Sequence, residues 1–340
     1  MRFFDGAAVD AALAYPALVD VLDAAFRQGA IAPLRHHHAI ALEGRPEATL
    51  LLMPAWEASA PGSPHAGRYL GVKSVTVFPD NATLGKPAVF GTYLLASART
   101  GETLAVIDAT RLTAWRTGAA SALASRHLSR PDAARLAMIG AGALAPFLIR
   151  AHASVRPIRE VVIWNRSPDR ARALAGGLAD TGLDIRIAAD LESAVRGADI
   201  VSTATLSAEP LVRGAWLAPG THLDCVGAYR PSMRETDDEA VRRARLFVDT
   251  RAGALSEAGD IVQPLQAGVI GKEAVLGDLF DLCRGTVAGR TAPDQITLFK
   301  SVGAAIEDLA AAIAVYEHAS LSPRTADVSA SAASAGRGSG

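Results

Sequence analysis

Two sets of residues in this chain have the types and spacing to do chemistry. The first is A-R-L-A-M-I-G-A-G-A-L-A at 134–145. A short apolar run, 136–139, enters Gly140-Ala141-Gly142, and Ala145 opens a new apolar segment. That is the G-x-G-x-x-A order of a βα turn that binds a dinucleotide. Gly140 permits the tight bend, Gly142 lets the backbone approach a pyrophosphate, and Ala145 allows close helix–strand packing. The helix that follows offers its N-terminal amides to the phosphates. Gly/Ala-rich chains also produce this order by chance, as a plain glycine turn, so the flanking elements must decide.

The second set is cationic. Arg35, Lys73 and Arg116 sit in otherwise apolar or small-residue stretches. A lysine inside a strand is ordinarily on the exposed face. Three cations carried by different elements toward one nucleotide domain would instead make a pocket for a carboxylate. Asn165-Arg166-Ser167 ends the second strand after the turn, where an NAD-binding unit places Asp or Glu for the adenosine ribose. Here no acid is present. Arg166 can pair with a 2′-phosphate and Ser167 can hydrogen-bond it, which favours NADPH and leaves NADH possible. The plainer alternative is a serine N-cap beside a solvated arginine. His36-His37-His38 alternate faces along a strand, so at most two could share a site, and no carboxylate spacing completes one. No metal is expected. Neither a G-x-S-x-G elbow nor a Cys/His pair points to a nucleophile.

The elements that must position these residues follow from pattern. Residues 9–27 have helical spacing, with Pro16 in a first turn. Apolar runs at 39–42 and 49–53 read as strands joined by a polar turn, and 69–78 is a strand carrying Lys73. A Pro/Gly/Ser-rich loop occupies 58–67. A second hairpin covers 88–96 and 103–108, and 112–128 is a helix of small residues. After the glycine turn, strands at 160–164, 184–188, 199–203, 221–227 and 245–249 alternate with helices at 169–179, 191–197 and 236–244. Such alternation implies a parallel, doubly wound sheet. A last strand at 296–302 leads into an apolar helix at 303–318, and the tail 322–340 is too poor in hydrophobic pattern to fold.

Half of the 340 residues are apolar and the net charge is −1, so no basic field points to nucleic acid or an anionic membrane. Cys225 and Cys283 are far apart and outside any C-x-x-C spacing, which fits a reducing cytoplasm. The first residues lack the apolar core of a signal peptide, and no apolar run is long enough to span a bilayer.

Several stretches, in order and through nearly the whole chain except the tail, resemble the ornithine cyclodeaminase/mu-crystallin family. They are Leu34-Arg35, the Lys73 strand ending V-T-V-F-P-D-N, R-T-G-A-A-S-A from Arg116, and G-A-G-A-L-A. Further on come V-G-A-Y-R-P-S-M-R-E-T from Val226, L-F-V-D-T from Leu246, E-A-G-D-I from Glu257 and L-F-K-S-V-G-A-A-I-E-D-L-A-A-A from Leu298. The resemblance implies an α/β fold in which a Rossmann-type doubly wound sheet, 118–303, is inserted into a mixed α+β substrate and dimerisation domain, 1–117 plus 304–321. It implies that Arg35, Lys73 and Arg116 hold the substrate's carboxylate and its amino or imino end. Thr117, Gly140, Gly142, Ala143, Leu144, Asn165, Arg166, Ser167, Thr203, Ala204, Val226 and Gly227 match nucleotide-contacting segments. Ser301 and Val302 match the segment that closes over nicotinamide and substrate.

One departure is informative. Ornithine cyclodeaminases carry Asp two residues before the proline that is Pro231 here, where a carboxylate can act as a general base. This chain has Tyr229, whose phenol with an ordinary pKa of about 10 is a poor base at neutral pH. The local pattern is nearer the ketimine reductase branch. The resemblance then implies NAD(P)H-dependent reduction of cyclic ketimine carboxylates, foremost Δ1-pyrroline-2-carboxylate to L-proline, and Δ1-piperideine-2-carboxylate to L-pipecolate. Arg116 and Arg35 would fix the carboxylate. Lys73 would serve the imine end or a proton-delivering water, and Tyr229 would shape or polarise the pocket. The alternatives are ornithine cyclodeaminase, amino-acid dehydrogenase, and a non-catalytic protein that retains NADPH and a small ligand. A homodimer is the implied assembly.

Overall fold

A computed structural model describes residues 1–57 and 67–321. The tail from 322, and all of the 58–67 loop but Gly67, therefore lie outside the described residues.

The chain begins with β1 (Arg2–Phe4), α1 (Gly6–Ala12) and α2 (Tyr15–Gln28). The expected single helix over 9–27 is thus two helices. Proline has no N–H and fits only a first helical turn, so a helix begun at Gly6 must stop before Pro16. Next come β2 (Ala30–Ile31), β3 (His36–Ile40), β4 (Ala48–Glu57), β5 (Tyr69–Val77), β6 (Val89–Ser97), β7 (Thr103–Asp108) and α3 (Ala109–Leu128). The sheet order is β1-β7-β6-β5-β4-β2, with β3 also on β4. All its pairings are antiparallel except β1–β7. Strand alternation gives it two faces. Met53, Ala55, Lys73, Tyr93, Leu95 and Ile107 are buried on the inner face, while Trp56, Leu70, Phe90 and Leu94 are exposed on the outer. Lys73 is therefore directed inward, not to the exposed face usual for a strand lysine.

The second sheet follows α3. It is assembled from β8 (Arg135–Ile139), α4 (Ala145–Val155), β9 (Glu160–Trp164), α5 (Pro168–Gly176), β10 (Asp184–Ile187), α6 (Leu191–Arg196), β11 (Ile200–Thr203) and β12 (His222–Cys225). Then come α7 (Asp238–Arg243), β13 (Arg245–Val248), α8 (Arg251–Glu257), α9 (Gly259–Gln266), β14 (Val275–Asp278), α10 (Leu279–Arg284), β15 (Thr297–Lys300) and α11 (Ala305–Leu321). Its strands are all parallel, in the order β10-β9-β8-β11-β12-β15-β13-β14. The order reverses between β8 and β11, the switch point at which doubly wound sheets bind ligands. β14 and α8–α10 had no expected counterpart, being too short for periodicity to show. No helix among the described residues is long and apolar enough to cross a membrane.

Two helices join the sheets. α3 packs on α2, α4 and β6 and also on β12 and β15. Its small residues permit this: a Cβ on Gly118 would stand 2.8 Å from the Tyr15 hydroxyl and 3.1 Å from the Phe147 carbonyl. α11 leaves β15 and returns to the inner face of the first sheet, against α2, α3, β4, β5 and β6. The two ends of the chain meet there.

Candidate active site

At the switch point Gly140 has φ +106°, and a Cβ on it would lie 2.8 Å from the Ala204 carbonyl. Only glycine lets the loops after β8 and β11 come this close. Gly142 is different: a Cβ there would meet nothing within 4 Å, so open space lies over the turn. α4 begins without a side-chain cap, but its first amides are not free: Ala145 N donates to the Gly142 carbonyl at 3.1 Å, Pro146 has no N–H, and Phe147 N donates to the Leu144 carbonyl at 3.0 Å. The amides that meet no acceptor among the described residues are those of the turn itself, Gly142, Ala143 and Leu144. Asn165 is committed to the scaffold, its Oδ1 accepting from Ala141 N at 3.1 Å and its Nδ2 donating to the Ser167 carbonyl at 2.9 Å. Arg166 is exposed and makes no ion pair with a described residue. Ser167 is the N-cap of α5 yet its side chain makes no cap bond. Guanidinium and hydroxyl are thus both uncommitted.

The remaining cofactor candidates line the same C-terminal edge. Val226 N and Gly227 N donate to the Thr203 carbonyl at 2.8 and 3.2 Å, Ala204 N donates to Ile139 O at 3.0 Å, and Ser301 N donates to Cys225 O at 3.1 Å. Gly227 is sterically required, since a Cβ would stand 2.2 Å from the Thr205 carbonyl. Thr117 is buried in α3 beside Arg116. The open space at Gly142, the unpartnered amides of Gly142, Ala143 and Leu144, and the uncommitted Arg166 and Ser167 fit a dinucleotide: Gly140, Gly142, Ala143 and Leu144 would hold its pyrophosphate.

The three cations converge. Lys73 of β5 and Arg116 of α3 are only 2% and 6% exposed. Both meet Asp308 in the first turn of α11. Lys73 Nζ lies 2.9 and 2.8 Å from its two carboxylate oxygens, and Arg116 Nε donates to Oδ1 at 3.0 Å. Arg116 Nη1 donates to Glu307 at 2.7 Å. Arg35 reaches the same turn from the other side, donating to the Gly303 and Val302 carbonyls at 2.6 and 3.2 Å and pairing with Glu257 at 3.2 Å. A Cβ on Gly303, at φ +83°, would lie 2.4 Å from Arg116 Nη1. Arg116 Nη2 and Arg35 Nη1 make no hydrogen bond with a described residue. They are the donors left over for a ligand carboxylate.

Burial drives the ionisation here. Desolvation lowers Lys73 to about 8, against the pull of Asp308 in the opposite direction. It raises Glu307 to about 7, with Arg116 opposing. The acids Glu307, Asp308, Glu257 and Asp249 were not singled out in the sequence. Asp249 accepts from Val302 N and Gly303 N, both at 2.7 Å, and so holds the turn that Arg35 touches. All four acids lie within stretches that carry the family resemblance, L-F-V-D-T, E-A-G-D-I and the I-E-D of the last helix, but residue type and spacing gave none of them a role.

One candidate lies apart from this cluster. Tyr229 follows Ala228, a non-glycine residue at φ +49°, and is 40% exposed with the Arg230 guanidinium 5.8 Å from its ring centroid. No contact ties it to Arg35, Lys73 or Arg116. His36, His37 and His38 run along the exposed β3, with His37 Nε2 3.9 Å from Glu257. Asp308→Ala leaves two buried cations with Glu307 alone, and stability should fall by about 3–5 kcal/mol in urea denaturation. A change under about 1 kcal/mol would mean that the cations are held by something else.

Known proteins share this sequence pattern and this fold. The sequence profile of the ornithine cyclodeaminase/mu-crystallin family matches residues 4–322. A Δ1-pyrroline-2-carboxylate reductase of Paracoccus denitrificans is 40% identical over 286 residues, 84% of this chain and 88% of that one. The structure of Thermococcus litoralis Δ1-pyrroline-2-carboxylate reductase in complex with NADH and L-proline aligns with a TM-score of 0.86 at 33% identity. That alignment covers 94% of this chain and 97% of the other. An archaeal alanine dehydrogenase dimer with bound NAD aligns at 0.83 and 31% identity, covering 93% and 95%. With the profile spanning both sheets and the returning helix, the chain belongs to the ornithine cyclodeaminase/mu-crystallin family.

Proposed function

We propose that this protein reduces cyclic ketimine carboxylates with NAD(P)H, foremost Δ1-pyrroline-2-carboxylate to L-proline and then Δ1-piperideine-2-carboxylate to L-pipecolate. The observation that carries this reading is the meeting of Arg35, Lys73 and Arg116 at the turn after β15, beside the C-terminal edge of the parallel sheet. The reductases similar to this chain at 40% and 33% identity support it.

When bound, the reduced nicotinamide supplies a hydride. The protein's own residues do the rest. Arg116 Nη2 and Arg35 Nη1 hold the substrate carboxylate and so select the face of C2 that is exposed to reduction. The ring nitrogen must be protonated for C2 to accept a hydride. Lys73, with its pKa lowered to about 8, is mostly ammonium at neutral pH and can give that proton up. It then stands neutral over Asp308, which removes its repulsion of the iminium. Tyr229 takes a pocket-shaping place only if the exposed 229–231 segment moves toward the cations. The lack of a carboxylate at that position disfavours ornithine cyclodeaminase, because ring closure with ammonia loss needs a base there. We divide the chain into 118–303, which binds the dinucleotide, and 1–117 plus 304–321, which bind the substrate; the first boundary falls inside α3, the helix that packs on both sheets.

The first test follows absorbance of NADPH and NADH with each cyclic imine, and ammonia release from L-ornithine with NAD. Imine-dependent oxidation is expected. Ammonia release without it would establish a cyclodeaminase, and inertness toward every imine a binding protein.

The Lys73 role has a defined sign. Its proton is present below about pH 8 and lost above, so kcat/KM should fall as pH rises through that value. Lys73→Met should lose about 10²–10⁴-fold in kcat, together with that alkaline limb. A limb that survives in the variant assigns the proton to another group.

NADPH is our preferred cofactor, on the strength of the uncommitted Arg166 and Ser167. Arg166→Ala should raise the Kd for NADPH by about tenfold or more and leave NADH nearly unchanged, since a charged hydrogen bond contributes about 1.5–3 kcal/mol. Equal effects on the two would refute a 2′-phosphate contact.

The outer face of the first sheet, with Trp56, Leu70, Phe90 and Leu94 exposed, suits a second copy of the chain. Light scattering should give twice 35.2 kDa, and Leu94→Asp should favour the single chain. A wild-type monomer at micromolar concentration would exclude this dimer.

A further inference from the structure

We infer that Glu235, Asp260 and Lys300 are positioning residues for the nicotinamide end of the dinucleotide, an assignment that rests on the cofactor reading above. All three side chains are fully buried at the C-terminal edge of the parallel sheet, and none touches Arg35, Lys73 or Arg116. They form one connected cluster.

Glu235 gathers the loop after β11. Its Oε1 accepts from Thr205 N at 2.7 Å and from the Thr205 hydroxyl at 2.8 Å, and its Oε2 accepts from the Thr203 hydroxyl at 2.9 Å. Asp260, in α9, in turn holds the backbone that carries Glu235. Its Oδ1 accepts from Glu235 N, Thr236 N and the Thr236 hydroxyl, each at 2.9 Å. Lys300, the last residue of β15, lies 3.2 Å from Asp260 Oδ2 and donates to the Gly227 carbonyl in the loop after β12. Gly227 closes the circuit, since a Cβ on it would lie 2.5 Å from Glu235 Oε1.

Three segments are thereby tied to each other: the loops after β11 and β12 and the C-terminal end of β15, which leads into the loop that follows it. They stand on the β12 side of the switch point, whereas the glycine turn and Arg166 stand on the β8–β9 side. A dinucleotide laid across the switch point with its adenosine at Arg166 puts its other end at these three segments. The same end holds the cations, because Lys300 leads directly into the 301–303 turn, whose carbonyls meet Arg35. Three buried charges cost more to desolvate than apolar side chains of equal volume, which would serve simple packing as well. What charges add is direction: each of these acids and the lysine fixes the orientation of a named backbone group in a loop lining the cleft.

Glu235→Gln keeps the volume and removes one of the two acceptor oxygens. Equilibrium binding should be measured for NADPH and NADH, and for ADP-ribose and its 2′-phosphate, which lack only the nicotinamide. The variant should bind the complete cofactor about tenfold more weakly while the fragment's affinity stays within about twofold. If Glu235→Gln does not accumulate folded, Thr203→Val and Thr205→Val remove the hydroxyls that Glu235 holds, leave the charges in place and should give the same split. A parallel loss for cofactor and fragment, or no loss for either, overturns the positioning role. Wild-type protein that binds neither cofactor nor fragment overturns the cofactor reading, and this one with it.

Discussion

The packing of the first sheet depends on a pair of carboxylates, Glu307 and Asp308, in the first turn of α11. Lys73 and Arg116 come from β5 and α3 and are buried almost completely. Left unpaired, each would carry a desolvation penalty of several kcal/mol. Asp308 meets both, and Glu307 takes Nη1 of Arg116. Acids are also favoured at a helix N-terminus, where the helix dipole is positive. The pairing works only because the chain's last described helix leaves β15 and folds back across the first sheet. The ion cluster is therefore the joint between the first sheet and the last described helix, and it is where we propose the substrate binds.

The charges of the joint balance, three cations against Asp308, Glu307 and Glu257, but its hydrogen bonding is incomplete. Asp308 and Glu307 occupy Lys73 and two of the guanidinium nitrogens of Arg116, and Arg35 is turned toward the 302–303 carbonyls and Glu257. One nitrogen on each arginine is left over, and in our proposal a ligand carboxylate joins the network there without dismantling it. Burial also moves Lys73 down and Glu307 up toward neutrality, so both can exchange a proton near physiological pH. The nucleotide side repeats the device with different residues. There Glu235, Asp260 and Lys300 hold three segments, and Asp249 holds the turn between the two clusters.

Much of the architecture was legible from pattern alone. β9 runs over the expected residues, and the other parallel strands expected after the glycine turn fall within a few residues of where alternation put them. The reason is physical: strands buried on both faces are short apolar runs, and nothing else in an α/β chain looks like them. The antiparallel first third was legible for the opposite reason, its polar turns. The break before Pro16 was written in the sequence but was masked by helical spacing that continued through it. The very short β1 and the stretch from α8 to α10 left no periodic trace.

The sequence by itself determined the dinucleotide turn, the parallel sheet, the three cations and the absence of an acid at Arg166 and at Tyr229. Each is a local fact, set by residue type and by spacing within one element. Only the tertiary structure decided which partners those residues have. It turned Lys73 inward, gave Asn165 to the glycine turn, left Tyr229 exposed, and brought Glu307 and Asp308 across more than 190 positions to Arg116. A buried charge requires a counter-charge but carries no mark of where in the chain it lies. Sheet pairing and the return of α11 choose it.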